Sequence, residues 1–409
     1  MGAGGRGFES RYPDKEKDLS NNSVNPFLVS YILDMSGIYI HIPFCKKRCT
    51  YCDFYTEVAP KLIPRLVESI CNEIEIRADY LPSKQIDSIY FGGGTPSVLK
   101  PEQFTAIFNA IYATFSVSDK AEITFEANPD DLTVLFFESI QSLPFNRISI
   151  GIQSFDDEDL KLINRRHNGN QAINAVKNAQ NAGFNNISLD LIYGLPYQTI
   201  EKWKKQLDTA LSLNVQHISS YGLTYEEGTK LWEQREKAQI IQVDDDTMNE
   251  MYLLLVKKLK QKGFDAYEIS NFAQIGFRSK HNSSYWKQQP YIGLGPSAHS
   301  YNIQARQWNV DSITNYIFAI ENNGSFYETE ILTKSEKYND YVMVSLRTKE
   351  GIDLEYIEKE FGTEYATECL ENSKQYIESL MLCLSNNRLC LTTKGVLVSN
   401  QILTELMKV

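Results

Sequence analysis

GIYIHIPFCKKRCTYC, residues 37–52, joins a β-rich run to three closely spaced cysteines, and everything else in the chain is read outward from it. Gly37–Ile42 is rich in β-branched residues and reads as a strand; Cys45, Cys49 and Cys52 follow in a loop just beyond it. Thiolates select soft metals or iron–sulfur clusters, and a structural zinc site asks for four closed protein ligands. Three thiols instead leave one iron of a four-iron cubane without a protein ligand, the kind of open position that catalytic metal centres keep. Two other readings remain at this point: a zinc site completed by His41, and a chance grouping of thiols.

Downstream, short β-rich runs alternate with helical ones, the pattern of βα units around a parallel sheet. The expected strands are 37–42, 86–91, 122–126, 147–152, 187–193 and 217–222. Between the first two, Leu62, Ile63, Leu66, Val67, Ile70 and Ile74 share a helix face; Phe104, Ile107, Phe108, Ile111 and Phe115 do so in the next connection. Six units fall short of a closed eight-unit barrel, so the fold class is α/β, an open partial (β/α)6 barrel. After about residue 230 we expect the helix 244–262 and then Tyr- and Gly-rich loops to about residue 310, so that 231–330 forms an extension and linker. Residues 331–409 read as a mostly helical, winged-helix-like domain with a hairpin in NNRLCLTTKGVLVSN. Residues 1–34 are polar and without period, a disordered leader or upstream extension, and the functional chain is expected to start at Met35.

Composition excludes several classes. The formal net charge of −11 comes with no Lys/Arg-rich stripe, which argues against nucleic acid as a partner. No run approaches the ~20 apolar residues of a membrane span and no secretory signal opens the chain, so a cytoplasmic location is expected. Cys71, Cys369, Cys383 and Cys390 are scattered and read as small buried hydrophobes, not as a disulfide framework.

YIHIPFCKKRCTYCDF resembles the opening motif of the radical S-adenosylmethionine (SAM) superfamily, and within it the oxygen-independent coproporphyrinogen III oxidase-like proteins, particularly the HemW-type haem chaperones. The similarity runs from about Ile38 through the C-terminal region. It implies a radical-SAM barrel and one [4Fe–4S] cluster on Cys45, Cys49 and Cys52, whose open iron chelates the amino and carboxylate groups of SAM. It also implies an electron donor such as a flavodoxin or ferredoxin. Each later strand then carries a polar or glycine feature at its C-terminal end, where barrel active sites gather. FGGGTP offers Gly93, Gly94 and Thr95 for close backbone approach to the methionyl end of SAM; Glu126, Gln153, Arg165 and Asp190 follow on the same rim. A carboxylate suits the SAM ammonium or ribose hydroxyls and Arg165 suits its carboxylate, with the division between Glu126 and Asp190 left open. By resemblance Tyr39 packs near the cluster and Tyr51 contacts adenine.

Two motifs separate a carrier from an enzyme. The oxidases place a fourth cysteine two positions after the third, where this chain has Phe54. HNSSYW, with His281, Asn282, Tyr285 and Trp286, looks like the HNxxYW signature of the haem chaperones. Haem needs an axial donor and flat apolar surface, which His281, Tyr285, Trp286 and the nearby Tyr291 could supply. A second donor candidate is His299; His41 is expected to support the cluster loop, and His167 and His217 to serve packing or surface roles. The resemblance thus implies haem as cargo, haem-acceptor proteins as partners and a possible homodimer. The alternative is a coproporphyrinogen III oxidase that converts propionates to vinyls.

Overall fold

The computed structural model describes residues 36–408, so the expectation for residues 1–34 lies outside it. Six parallel strands form the centre: β1 (Ser36–Ile42), β2 (Gln85–Gly93), β3 (Ser116–Ala127), β4 (Arg147–Gln153), β5 (Ile187–Tyr193) and β6 (His217–Gly222). Their outward residues explain why they form. Ile38, Ile40 and Ile42, all without solvent exposure, share one core with Ile63, Leu66, Val67, Ile70 and Ile74 of the helix Ile63–Ile76. Each such side chain contributes about 1.5–3 kcal/mol on burial, which fixes which face of β1 turns to the helices. Later crossover helices start on the side-chain caps Thr133, Asn168 and Thr199, and Asn168 with Gln171 closes a capping box ahead of Gly169–Asn181.

Alternation then sends polar residues to the opposite, inner face. Register sets Ser88 beside Glu122, Thr124 beside Arg147, Glu126 beside Ser149, and Asp190 beside Ser219. Layers of polar groups line the inside of the sheet, with the strands' C-terminal ends gathered at one rim.

Beyond β6 the chain adds β7 (Asp265–Ala266) and β8 (Asn271–Ala273), the latter antiparallel to β6. On the other side β9 (Tyr291–Leu294) pairs in parallel with β1, followed by β10 (His299–Tyr301), β11 (Ala305–Asn309) and β12 (Tyr327–Ile331). The strand order is β12-β11-β10-β9-β1-β2-β3-β4-β5-β6-β8-β7, and the two ends do not meet, so the sheet is open. This corrects the reading of the stretch from 262 to about 310 as loops: the segment extends the sheet at both margins. Its strands are two to five residues long, too short to show a period.

The C-terminal part has its own core, including Tyr338, Val342, Leu346, Ile352, Ile357, Cys369, Leu389 and Ile402. Helices Lys334–Leu346, Leu354–Phe361, Thr363–Glu378 and Ser399–Leu406 surround a small antiparallel sheet ordered β13 (Ile352–Asp353), β15 (Arg388–Leu391), β14 (Leu382–Ser385). Of the scattered cysteines only Cys369 is fully buried; Cys383 is exposed, directly across from Cys390 in the hairpin, so the buried-hydrophobe reading fails there. No helix among the described residues is long and apolar enough to cross a membrane.

Candidate functional site

Cys45, Cys49 and Cys52 follow β1 and line one side of a cavity of about 400 Å³ at the rim of the sheet. All three are free thiols. Burial pushes the Cys52 thiol up to about 11 and raises that of Cys45, so metal binding has to displace protons there. The loop is fixed from both sides: Lys46 donates to Asp131 at 2.6 Å, and Asn164 Nδ2 donates to the Arg48 carbonyl at 2.7 Å.

The donor set fits a cluster better than a single ion. Among the described residues no three His, Cys, Asp or Glu side chains converge on one ion position. Three thiolates bound to three different irons are spread more widely than the ligands of one zinc. His41 is not a fourth ligand in this arrangement. Its Nε2 donates to the Tyr55 carbonyl at 3.3 Å, and its Nδ1 accepts from the Tyr39 hydroxyl at 3.0 Å. It does support the cluster loop, through Tyr55.

Around the sulfurs runs a set of hydrogen bonds of the kind that orients metal ligands. Asn128 Nδ2 donates to Thr95 Oγ1 at 3.1 Å, leaving the Thr95 hydroxyl to face Cys45 Sγ at 3.5 Å. Arg165 Nη1 faces Cys49 Sγ at 3.5 Å, while Nη2 donates to Asn128 Oδ1 at 2.6 Å and to the Gly151 carbonyl. Arg165 Nε is buried without an acceptor.

Glycines make this arrangement possible. A Cβ on Gly94 would stand 2.8 Å from the Phe44 carbonyl oxygen and 2.9 Å from that of Ile42, so the FGGGTP loop seats directly on the backbone that leads into the cysteines. A Cβ on Gly93, whose φ is +105°, would strike the His41 ring. At Gly151 it would crowd Gln153 Nε2 at 3.2 Å and Arg165 at 3.3 Å. Gln153 itself has a φ of 66° where the register between β4 and β5 shifts, and this kink brings it into the cavity lining.

The two acids also line the cavity. Glu126 accepts from the Tyr90 hydroxyl at 2.8 Å; burial, with Asp190 adding to it, pushes its carboxyl up to about 7. Asp190 accepts from Ser149 Oγ at 3.1 Å and is likewise raised by burial. Tyr51 and Phe54 line the mouth, and Phe54 is 64% exposed. Tyr39 stands behind this lining, hydrogen-bonded to His41 and stacked with Tyr90 at 6.2 Å.

HNSSYW folds differently from its sequence reading. His281 lies in the short helix Lys280–Trp286, 1% exposed and stacked on Tyr90 at 5.1 Å. Its ring nitrogens meet Ser88 Oγ and the Tyr285 hydroxyl, each at 2.8 Å, so neither is free for haem iron in this conformation. Tyr285 packs edge-on against Tyr291 at 4.6 Å, and Trp286 Nε1 is buried without a partner. Of the motif, Asn282 reaches the cavity lining. His167 and His217 are buried and hydrogen-bonded, and His299 is exposed on β10.

Sequence reasoning missed Tyr90, Asn128, Arg147, Ser149, Gly151, Ser219 and Tyr221, all of which line the same cavity. The signal was available: Arg147, Ser149 and Gly151 alternate with Ile148, Ile150 and Ile152, so the rim residue Gln153 implied inward neighbours two positions apart.

Comparison with known proteins gives concordant results. The description "Radical SAM superfamily" matches residues 39–210, and "HemN C-terminal domain" matches residues 332–398. The heme chaperone HemW of Bacillus subtilis (strain 168) is 32% identical over 375 residues, covering 90% of this chain and 98% of that protein. HemW of Lactococcus lactis subsp. lactis (strain IL1403) is 32% identical over 90% of this chain and 96% of its own length. The solved structure of coproporphyrinogen III oxidase (HemN) from Escherichia coli, described as a radical SAM enzyme, shares the fold. Its TM-score is 0.79 at 21% identity, covering 94% of this chain and 93% of that one.

Proposed function

Because the chain belongs to the HemW-type haem chaperone family of the radical SAM superfamily, we propose that it binds haem and passes it to acceptor proteins. The observation that carries this reading is the 32% identity sustained over 98% of the Bacillus subtilis chaperone. Phe54 supports it. A phenyl ring at the cavity mouth cannot act as the extra thiol that the oxidases carry there.

A [4Fe–4S] cluster on Cys45, Cys49 and Cys52 would supply an open iron for the amino and carboxylate groups of SAM and a route for one electron. The chain's own part is to hold and orient. Thr95 and Arg165 fix the sulfur positions; the unpaired Arg165 Nε is the donor left for the SAM carboxylate. Glu126, with its proton held only to about pH 7, suits the ammonium, and Asp190 with Gln153 suits the ribose hydroxyls. Gly93 and Gly94 approach the methionyl end, and Tyr51 the adenine. For HNxxYW to provide the haem donor, its helix would have to release His281 from Ser88 and Tyr285. The reading further includes an electron donor such as a flavodoxin or ferredoxin, a cytoplasmic location, a homodimer, and a domain division near residue 331.

The test is a haem titration on the anaerobically reconstituted full chain, followed at the Soret band, with SAM, reductant and coproporphyrinogen III supplied afterwards. Stoichiometric haem binding without vinyl products supports the carrier. Vinyl products without specific haem binding would replace it with an oxidase and leave the cluster assignment in place.

A further inference from the structure

Arg147 is a buried charge with little to satisfy it among the described residues. It opens β4 on the inner face, with 1% of its side chain exposed, and it lines the cavity. Its nearest carboxylate is Glu122, 4.0 Å from Nε, and Nε has no hydrogen-bond partner. No hydrogen bond joins the rest of its guanidinium to any of the described residues. Directly across the strand pair, Thr124, with no exposure, also leaves its hydroxyl without a partner. Of the two, only Arg147 lines the cavity.

A structural role for Arg147 is the simpler account, in which its charge offsets Glu122, Glu126 and Asp190. Charge compensation, however, does not satisfy five N–H donors, and a buried guanidinium without acceptors is costly. Glu122 is already engaged elsewhere, its Oε1 accepting from Ser279 Oγ at 3.2 Å and from the His281 amide at 3.0 Å. Water alone could fill the gap, but a planar guanidinium fork matches a carboxylate. That carboxylate is not the one assigned above to SAM. Arg165, to which that carboxylate was assigned, donates to the Gly151 carbonyl, four residues further along β4, roughly 13 Å at ~3.3 Å per residue. Arg147 therefore serves the deep part of the cavity.

We propose that Arg147 is the anchor for a carboxylate of the second organic ligand in the cavity, a propionate of the tetrapyrrole. This rests on the haem-binding reading above.

The test compares haem with haem dimethyl ester, whose propionates carry no charge, in Soret titrations of the reconstituted full chain. The same titrations are run on Arg147→Met and Arg147→Lys, with bound iron and SAM affinity measured on each. Unmodified protein is expected to bind haem at least about tenfold more tightly than the ester, as befits a charge-assisted pair. Arg147→Met should bind both at the ester's affinity, with iron content and SAM affinity unchanged, and Arg147→Lys should recover part of the difference. Equal binding of haem and ester by the unmodified chain overturns the proposal. So does a Met variant that loses SAM affinity while keeping haem. If the unmodified chain binds neither porphyrin, the haem-binding reading falls first and Arg147 with it. Should the Met variant fail to fold, the ester comparison still decides.

Discussion

Four of the five histidines are buried, and His281 shows what that does to their chemistry. Burial lowers its pKa to about 3, with the Arg147 charge adding to the effect, whereas the unfolded chain holds it near the ordinary 6.5. A folded pKa below the unfolded one means that the stability is fully present above pH 6.5 and is lost as pH falls toward 3. The loss is about 1.4 kcal/mol per pH unit for one group. Glu126, raised to about 7 by burial, works in the opposite direction, so the whole protein's profile is not that of its histidines. The difference between the parent and His281→Gln isolates the one residue. Denaturant unfolding between pH 7 and 5 should show the parent losing about one proton-equivalent of stability more steeply than the variant. Parallel profiles would mean that His281 titrates in the folded state as it does in the unfolded chain, and the Ser88–His281–Tyr285 chain would need rewriting. None of this was legible in HNSSYW. The motif showed a possible donor, and only the packing of the short helix against β1 and β2 decides that both ring nitrogens face inward.

Elements carry the cluster loop as much as the cysteines do. FGGGTP and the end of β1 touch backbone to backbone, so a methyl group on Gly94 has no flexible side chain to displace. Gly94→Ala is expected to cost about 1–3 kcal/mol and to lower the iron and sulfide recovered per chain after reconstitution. Gly324→Ala, whose Cβ would lie 3.5 Å from its nearest neighbour, should change neither. Full iron content in Gly94→Ala would show that the loop can shift without moving the thiols. At this scale the sequence was most informative. All six central strands were legible from their β-branched runs, since each is buried against helices on one face. The margins were not legible: HSY and YIGL are too short for alternation, and β9 gains its place only by pairing with β1, more than two hundred residues away in the chain.

The whole molecule joins two cores, and the hairpin of the second was legible only in part: NNRLCLTTKGVLVSN supplies the turn and the strand Arg388–Leu391, but the partner strand is Leu382–Ser385 ahead of it, and Thr393–Val396, read as the second strand, is helical. How the two cores meet was not legible, because the contacts are backbone groups and scattered charges. Ile269 donates its amide to the Arg347 carbonyl and Lys349 its amide to that of Tyr267. Over these, Asp265 accepts from Arg278 and from Lys349, each at 2.6 Å, while Arg278 also reaches Glu350 at 2.8 Å. Partial burial alone would raise the Asp265 carboxyl, but its two cationic partners hold it below the usual value. These charges remain partly exposed, so their net worth is small and screened by salt. Asp265→Ala should therefore lower unfolding stability by no more than about 1 kcal/mol at low salt and by almost nothing at 1 M salt, with the C-terminal unit as resistant to limited proteolysis as in the parent. A loss of several kcal/mol, or early release of the C-terminal unit, would mean that the ion pairs hold the two parts together. The backbone pairs across Tyr267–Ile269 and Arg347–Lys349 would then be a consequence of the docking and not its cause.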